Sequence, residues 1–169
     1  MGVANADDPR AADPLGILSM AGLLTAVQVD AGWRYAVIRW RLFGSPRPTT
    51  RLYQRYLAGI IGPGAAVATL GESAERRLRD AFEGADAALR AAGPLAWRET
   101  RRTAVEQALP DWFWRLRLAR PVVGDAAARD ALLAGLSALV AHWRTGSPRV
   151  VGRDRQSGPG VRRGNTGSD

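Results

Sequence analysis

Few residues in this chain have the types and spacing that chemistry requires. His142 is the single histidine among 169 residues, and there is no cysteine. This excludes thiolate nucleophiles, disulfides and Cys-based zinc sites, and one imidazole cannot build the usual His-rich catalytic metal centre. His142 precedes Trp143 near the end of an expected helix, with no Ser or Asp motif to partner it, so it reads as a packing or C-terminal capping residue. Carboxylates recur four residues from arginines, as in Asp30 with Arg34, Glu75 with Arg79 and Arg102 with Glu106, which is the spacing of solvated ion pairs on helix faces. Gly59, Gly62 and Gly64 lack both the Gly-Lys-Ser/Thr continuation and the preceding strand of a phosphate loop. No catalytic, cofactor or metal site emerges, and the expected activity is non-enzymatic binding.

Arginine offers the clearest binding chemistry. All 24 basic residues are arginine, against 16 carboxylates, for a net charge of +8. Arginine, alanine, glycine and proline share GC-rich codons, so the distribution of charge says more than its total. The surplus falls in residues 25–60 (+5), 94–123 (+3) and 147–169 (+3). Arg34 and Arg41 are seven apart on one helix, Arg51 and Arg55 four apart on another, and Arg98, Arg101 and Arg102 crowd a third; Arg162 and Arg163 lie in the tail. A guanidinium binds phosphate as a planar fork, so these nine residues are the expected nucleic-acid contacts, with DNA as the partner. The competing reading is solvated arginine faces that serve solubility.

Aromatic residues supply the alternative. Of six tryptophans, Trp33 and Trp40 share an apolar stripe and Trp143 ends a helix, as core residues do. Trp112 and Trp114, two apart on a short element, cannot face the same way, and they are the expected protein-interface residues of an adaptor or homo-oligomer.

The elements that position these residues are helical. Residues 1–14, with Pro9 and Pro14, read as a flexible arm; 15–146 as the folded domain; and 147–169, dense in Gly, Pro, Ser and Arg, as a disordered tail. Within the domain, Thr25 and Gln28 form a capping box that opens a helix from about Ala26 to Phe43, with Val29, Trp33, Ala36, Val37, Trp40 and Phe43 inward. A second helix is expected over 50–61 and a flexible connection over 62–71. A third is expected from Glu72 to Ala92 and a fourth from Pro94 to about Ala108. A short aromatic element follows from Asp111, whose side chain is the expected cap, to Leu118. The last helix starts at cap Asp125 and reaches Trp143, with Ala128, Ala131, Leu132, Gly135, Leu136, Leu139 and Trp143 inward. No stretch alternates as a strand does, so the fold class is all-α, a bundle of about five helices. The helix, break and helix of 94–120 have the order of a helix-turn-helix. The second element is too short and apolar for a recognition helix, and it reads as a core plug with Arg115 as its outward contact. Uncharged runs fall short of the roughly 20 residues that span a bilayer. A cytoplasmic protein without a membrane partner is the expectation.

Two stretches carry a resemblance. Leu24-Thr25-Ala26-Val27-Gln28-Val29-Asp30-Ala31-Gly32-Trp33-Arg34-Tyr35, with Ala134-Gly135-Leu136-Ser137-Ala138-Leu139-Val140-Ala141-His142-Trp143, resembles small helical proteins of phages and prophage-like elements. Among these are late-gene regulators of the RinA/ArpU type. The Leu-Thr-x-x-Gln opening is also similar to the first helix of small terminase subunits. The resemblance implies a non-enzymatic, mobile-element DNA transaction and transfers no site residue, since Gly44-Ser45-Pro46-Arg47-Pro48 stands where the terminase pattern continues with a different turn.

Overall fold

A computed structural model describes residues 13–44 and 72–146, and among these every regular element is a helix. The expected helix over 50–61 with Arg51 and Arg55, the connection over 62–71, residues 1–12, and the tail with Arg162 and Arg163 lie outside the described residues.

The first helix, α1 (Pro14–Met20), was not anticipated as an element. Its signal is Asp13-Pro14: an aspartate whose Oδ2 accepts the Gly16 amide at 2.8 Å, followed by a proline whose missing N–H costs nothing at the first helical position. Asp13 and Pro14, assigned to the arm on composition, are both buried. Helix α2 (Ala26–Phe43) opens on the expected capping box: Gln28 N–H donates to Thr25 Oγ1 at 3.3 Å, and Thr25 N–H to Gln28 Oε1 at 3.0 Å. It is the central helix. Trp33, Ala36, Val37 and Trp40 are buried as expected, but so are Ala31, Tyr35 and Ile38 on other sides. Phe43 is 59% exposed, a correction to its inward assignment, because α2 has reached its last turn there and Gly44 leaves the helix with a φ of +84°.

Helix α3 (Glu72–Ala91) carries a strong apolar stripe of which Ala85 and Leu89 are buried, while Ala74 and Leu78 in its first half stay partly open. Gly93 and Pro94 separate it from α4 (Pro94–Thr100), as anticipated. The expected continuation of α4 to Ala108 stops early. The chain widens into a π-helical turn over Arg101–Val105, in which Glu106 N–H donates to Arg101 O at 3.1 Å, and Gln107 then takes a left-handed φ of +55°. The Val105 carbonyl accepts the Trp40 indole N–H at 3.0 Å, so the widened turn is tied to α2.

Helix α5 (Asp111–Arg117) is the short aromatic element, and α6 (Asp125–Gly146) the long last helix, three residues longer than expected. Leu132, Leu136 and Leu139 of α6 are fully buried, each removal from water worth roughly 1.5–3 kcal/mol. Gly135 lets α4 come close: a methyl at its Cβ position would overlap Thr100 Oγ1 and sit 3.0 Å from the Ala96 carbonyl. One core joins α1, α2, α3, the π turn, α5 and α6, with the Trp33 and Trp40 rings edge to face at 5.8 Å.

Candidate functional site

Each arginine on the expected nucleic-acid surface that lies within the described residues already has a partner in the bundle. The Arg34 guanidinium covers the Trp143 ring at 4.3 Å. Arg41, at the end of α2, is also engaged. Arg98 reaches Glu99 at 3.3 Å, Arg101 lies 3.6 Å from Glu106 and over the Trp97 ring at 5.1 Å, and Arg102 pairs with Asp111 at 3.3 Å. The pairing with Arg102 takes the Asp111 side chain away from its expected capping role, and α5 starts without a side-chain cap. The described residues hold fifteen arginines against twelve carboxylates, so they account for three of the eight net charges; the remaining five belong to the other segments.

A polar hub that sequence spacing did not reveal ties three helices together. Asp86 on α3 accepts the Tyr35 hydroxyl from α2, the Trp97 indole N–H from α4 and Arg90 Nε, each at 2.8 Å. Burial alone would raise the Asp86 carboxyl, but the hydrogen bonds from Arg90, Trp97 and Tyr35 outweigh it and hold the group below the usual carboxylate range. Burial and the adjacent Asp86 push the Tyr35 phenol upward. Arg90 and Arg101 both pack on the Trp97 ring, at 5.0 and 5.1 Å. Tyr35, Asp86 and Trp97 are 51 and 11 residues apart in pairs, so local periodicity carries no sign of their meeting.

His142 packs rather than caps. A Cβ on Gly84 would stand 2.8 Å from its ring, and the Trp143 ring lies 4.6 Å away, edge to face. Burial and the Arg34 charge lower its pKa, the opposite of what a capping imidazolium would show.

The surface most open to a partner is the connection from α5 to α6. Trp112 is 3% exposed and plugs the core beside Phe113, which removes it from the expected interface. Trp114 is 52% exposed. The element is therefore only half a core plug: Leu118 is 65% exposed, Val122 54%, and Val123 fully exposed. Arg115, expected as an outward contact, is turned inward onto Asp125, with Nε 2.9 Å from Oδ2. Asp125 also accepts the Val122 amide at 2.9 Å, so this carboxylate braces the loop instead of capping α6. The guanidinium and the Val122 amide hold Asp125 below its usual pKa. At the start of the loop, Arg120 N–H returns to Arg115 O at 2.9 Å around Ala119, whose φ is +53°, which closes α5 ahead of Pro121. Arg117 and Arg120 are exposed, and neither has a carboxylate partner among the described residues. The segment Trp114–Val123, the ridge, thus combines a braced loop with exposed apolar Trp114, Leu118, Val122 and Val123 and exposed basic Arg117 and Arg120. Its sequence sign is Val122-Val123 between Pro121 and Gly124, an apolar pair where a loop is ordinarily polar.

In comparisons with known proteins, the chain matches no family model, no curated protein and no solved structure.

Proposed function

We propose that this chain is a non-enzymatic adaptor of the cytoplasm, a helical scaffold that docks onto another body through the Trp114–Val123 ridge. The observation that carries the reading is four exposed apolar side chains within ten residues, at the end of α5 and in the following loop, which Arg115 and Asp125 tie down by hydrogen bonds. Exposed apolar patches of this kind mark interaction sites, and a braced loop loses little entropy on docking. The test is a photo-crosslinking residue placed at Val123 in the full chain inside cells, compared with one at exposed Ala87 on α3. Adducts specific to position 123 are expected. Equal or absent adducts at both positions would remove the docking reading.

Nucleic-acid binding is the second reading, favoured by the five net positive charges contributed from outside the described residues. It keeps the mobile-element setting suggested by Leu24–Tyr35 and makes binding a matter of charge neutralisation. Affinity of the full chain for double-stranded DNA should then fall steeply with salt and weaken when Arg51, Arg55, Arg162 and Arg163 are changed to serine. Binding that is flat across a salt series would dismiss it.

A further inference from the structure

The geometry points to an anionic lipid surface as the partner of the Trp114–Val123 ridge; this rests on the ridge being the docking element and names what it docks on. Val122 and Val123 in the loop and Leu118 and Trp114 just before it are exposed apolar side chains, and in the same segment Arg117, which packs over the Phe113 ring at 5.8 Å, and Arg120 are exposed without carboxylate partners among the described residues. That composition suits a peripheral bilayer contact, in which aliphatic groups enter below the headgroups, an indole sits at headgroup level and guanidiniums meet the phosphates.

Other occupants fit less well. A second copy packed ridge to ridge would set Arg117 and Arg120 against their own equivalents. Nucleic acid would satisfy the arginines but leave Val122 and Val123 in water, since bases stack on aromatic rings and not on valines. The nearby exposed carboxylates, Asp111 and Asp130, are each engaged by an arginine, Arg102 and Arg129, which limits their repulsion of lipid phosphate. No described helix is long and apolar enough to cross a membrane, so the contact is peripheral, a mode that the absence of a spanning run does not address.

The test is co-sedimentation of the full chain with phosphatidylcholine vesicles, with and without phosphatidylserine. Binding is expected only when phosphatidylserine is present. The exposed double variants Val122→Ser/Val123→Ser and Arg117→Ser/Arg120→Ser should each weaken it by on the order of tenfold or more. Arg76→Ser/Arg77→Ser, with the same charge change at the exposed start of α3, should leave it unaltered, and circular dichroism checks that all variants keep their helices. Equal loss in all variants, or no loss in the ridge variants, would assign any binding to bulk charge and overturn the inference. Absence of vesicle binding would also overturn it, as would ridge-dependent self-association seen by light scattering without lipid. If vesicles fail while adducts at position 123 persist, the docking reading stands and its partner is a protein; if both fail, both readings fall.

Discussion

Asp13 joins two elements through one oxygen: Oδ2 accepts the Gly16 amide that starts α1 and the Trp33 indole N–H from α2, at 2.8 and 2.9 Å. Burial raises its pKa against the opposing hydrogen bonds. For such a group, the stabilising contribution is complete below the ordinary carboxylate pKa and is lost as pH rises through the raised folded value. Asp13→Asn keeps an acceptor for both N–H groups and removes the charge. It should be at least as stable as the parent at neutral pH, with the difference closing on acidification. Asp13→Ala removes both hydrogen bonds and should cost about 1–3 kcal/mol. Urea unfolding at neutral and acid pH separates the two, and an Asn variant as unstable as the Ala variant would mean that the charge itself is required. His142 behaves in the opposite sense. Its lowered pKa makes its contribution complete above the ordinary histidine value and lost as pH falls through the folded one. The melting temperature should therefore drop between neutral and mildly acid solution, and His142→Gln should flatten that slope; an unchanged slope would show that other groups set it.

Among the elements, the closest approach is that of α6 to α4 at Gly135. Gly135→Ala raises helix propensity by about 1 kcal/mol, yet the added methyl meets Thr100 Oγ1 and a backbone carbonyl that cannot rotate away. A net loss of about 1–3 kcal/mol is expected by denaturant titration, and a stabilised variant would show that the helices separate easily. The end of α5 offers the reverse case. Ala119 holds a left-handed conformation that glycine adopts freely, so Ala119→Gly should gain up to about 1 kcal/mol while the ridge stays in place.

These elements also mark how far sequence reaches. Helices α2, α3 and α6 were legible because their apolar positions repeat every three or four residues over many turns and their ends carry Thr25, Gly93 and other strong punctuation. Helix α1 was hidden because seven residues give too few turns for a period, leaving Asp13-Pro14 as its only sign. The π turn was hidden because its cause is tertiary: Trp40 draws on the Val105 carbonyl. On the candidate surface, the spacing of Trp112 and Trp114 tells that they face apart, while which of them is buried, and the openness of Leu118, depend on which side of a two-turn helix faces the core. The pairing of Arg98, Arg101 and Arg102 was legible only in part, since Arg102 selects Asp111 across a break in the helix rather than Glu106 one turn on.

For the molecule as a whole, Trp33, Trp40 and Trp112 belong to one core shared by α1, α2, α3, the π turn, α5 and α6. Unfolding followed by tryptophan emission should therefore coincide with unfolding followed by helix content, in a single transition. A displaced fluorescence transition would reveal a separately melting part. Charge is divided differently from packing. The described bundle is close to balanced, and most of the surplus belongs to the segments around it, so changes in salt should affect binding by the full chain much more than its melting temperature.

The hydroxyl of Tyr35 and the carboxylate of Asp86 meet across the stretch from Gly44 to Glu72, and α2 is enclosed by helices that all come later in the chain except α1. A cut in that stretch, where Arg51 and Arg55 offer trypsin sites, would sever the covalent link and none of these contacts. Two pieces cut apart there, a short amino-terminal fragment and a long carboxy-terminal one, are expected to stay together, because the contacts that enclose α2 run from one piece to the other; separate elution of the two would show that the link itself holds them.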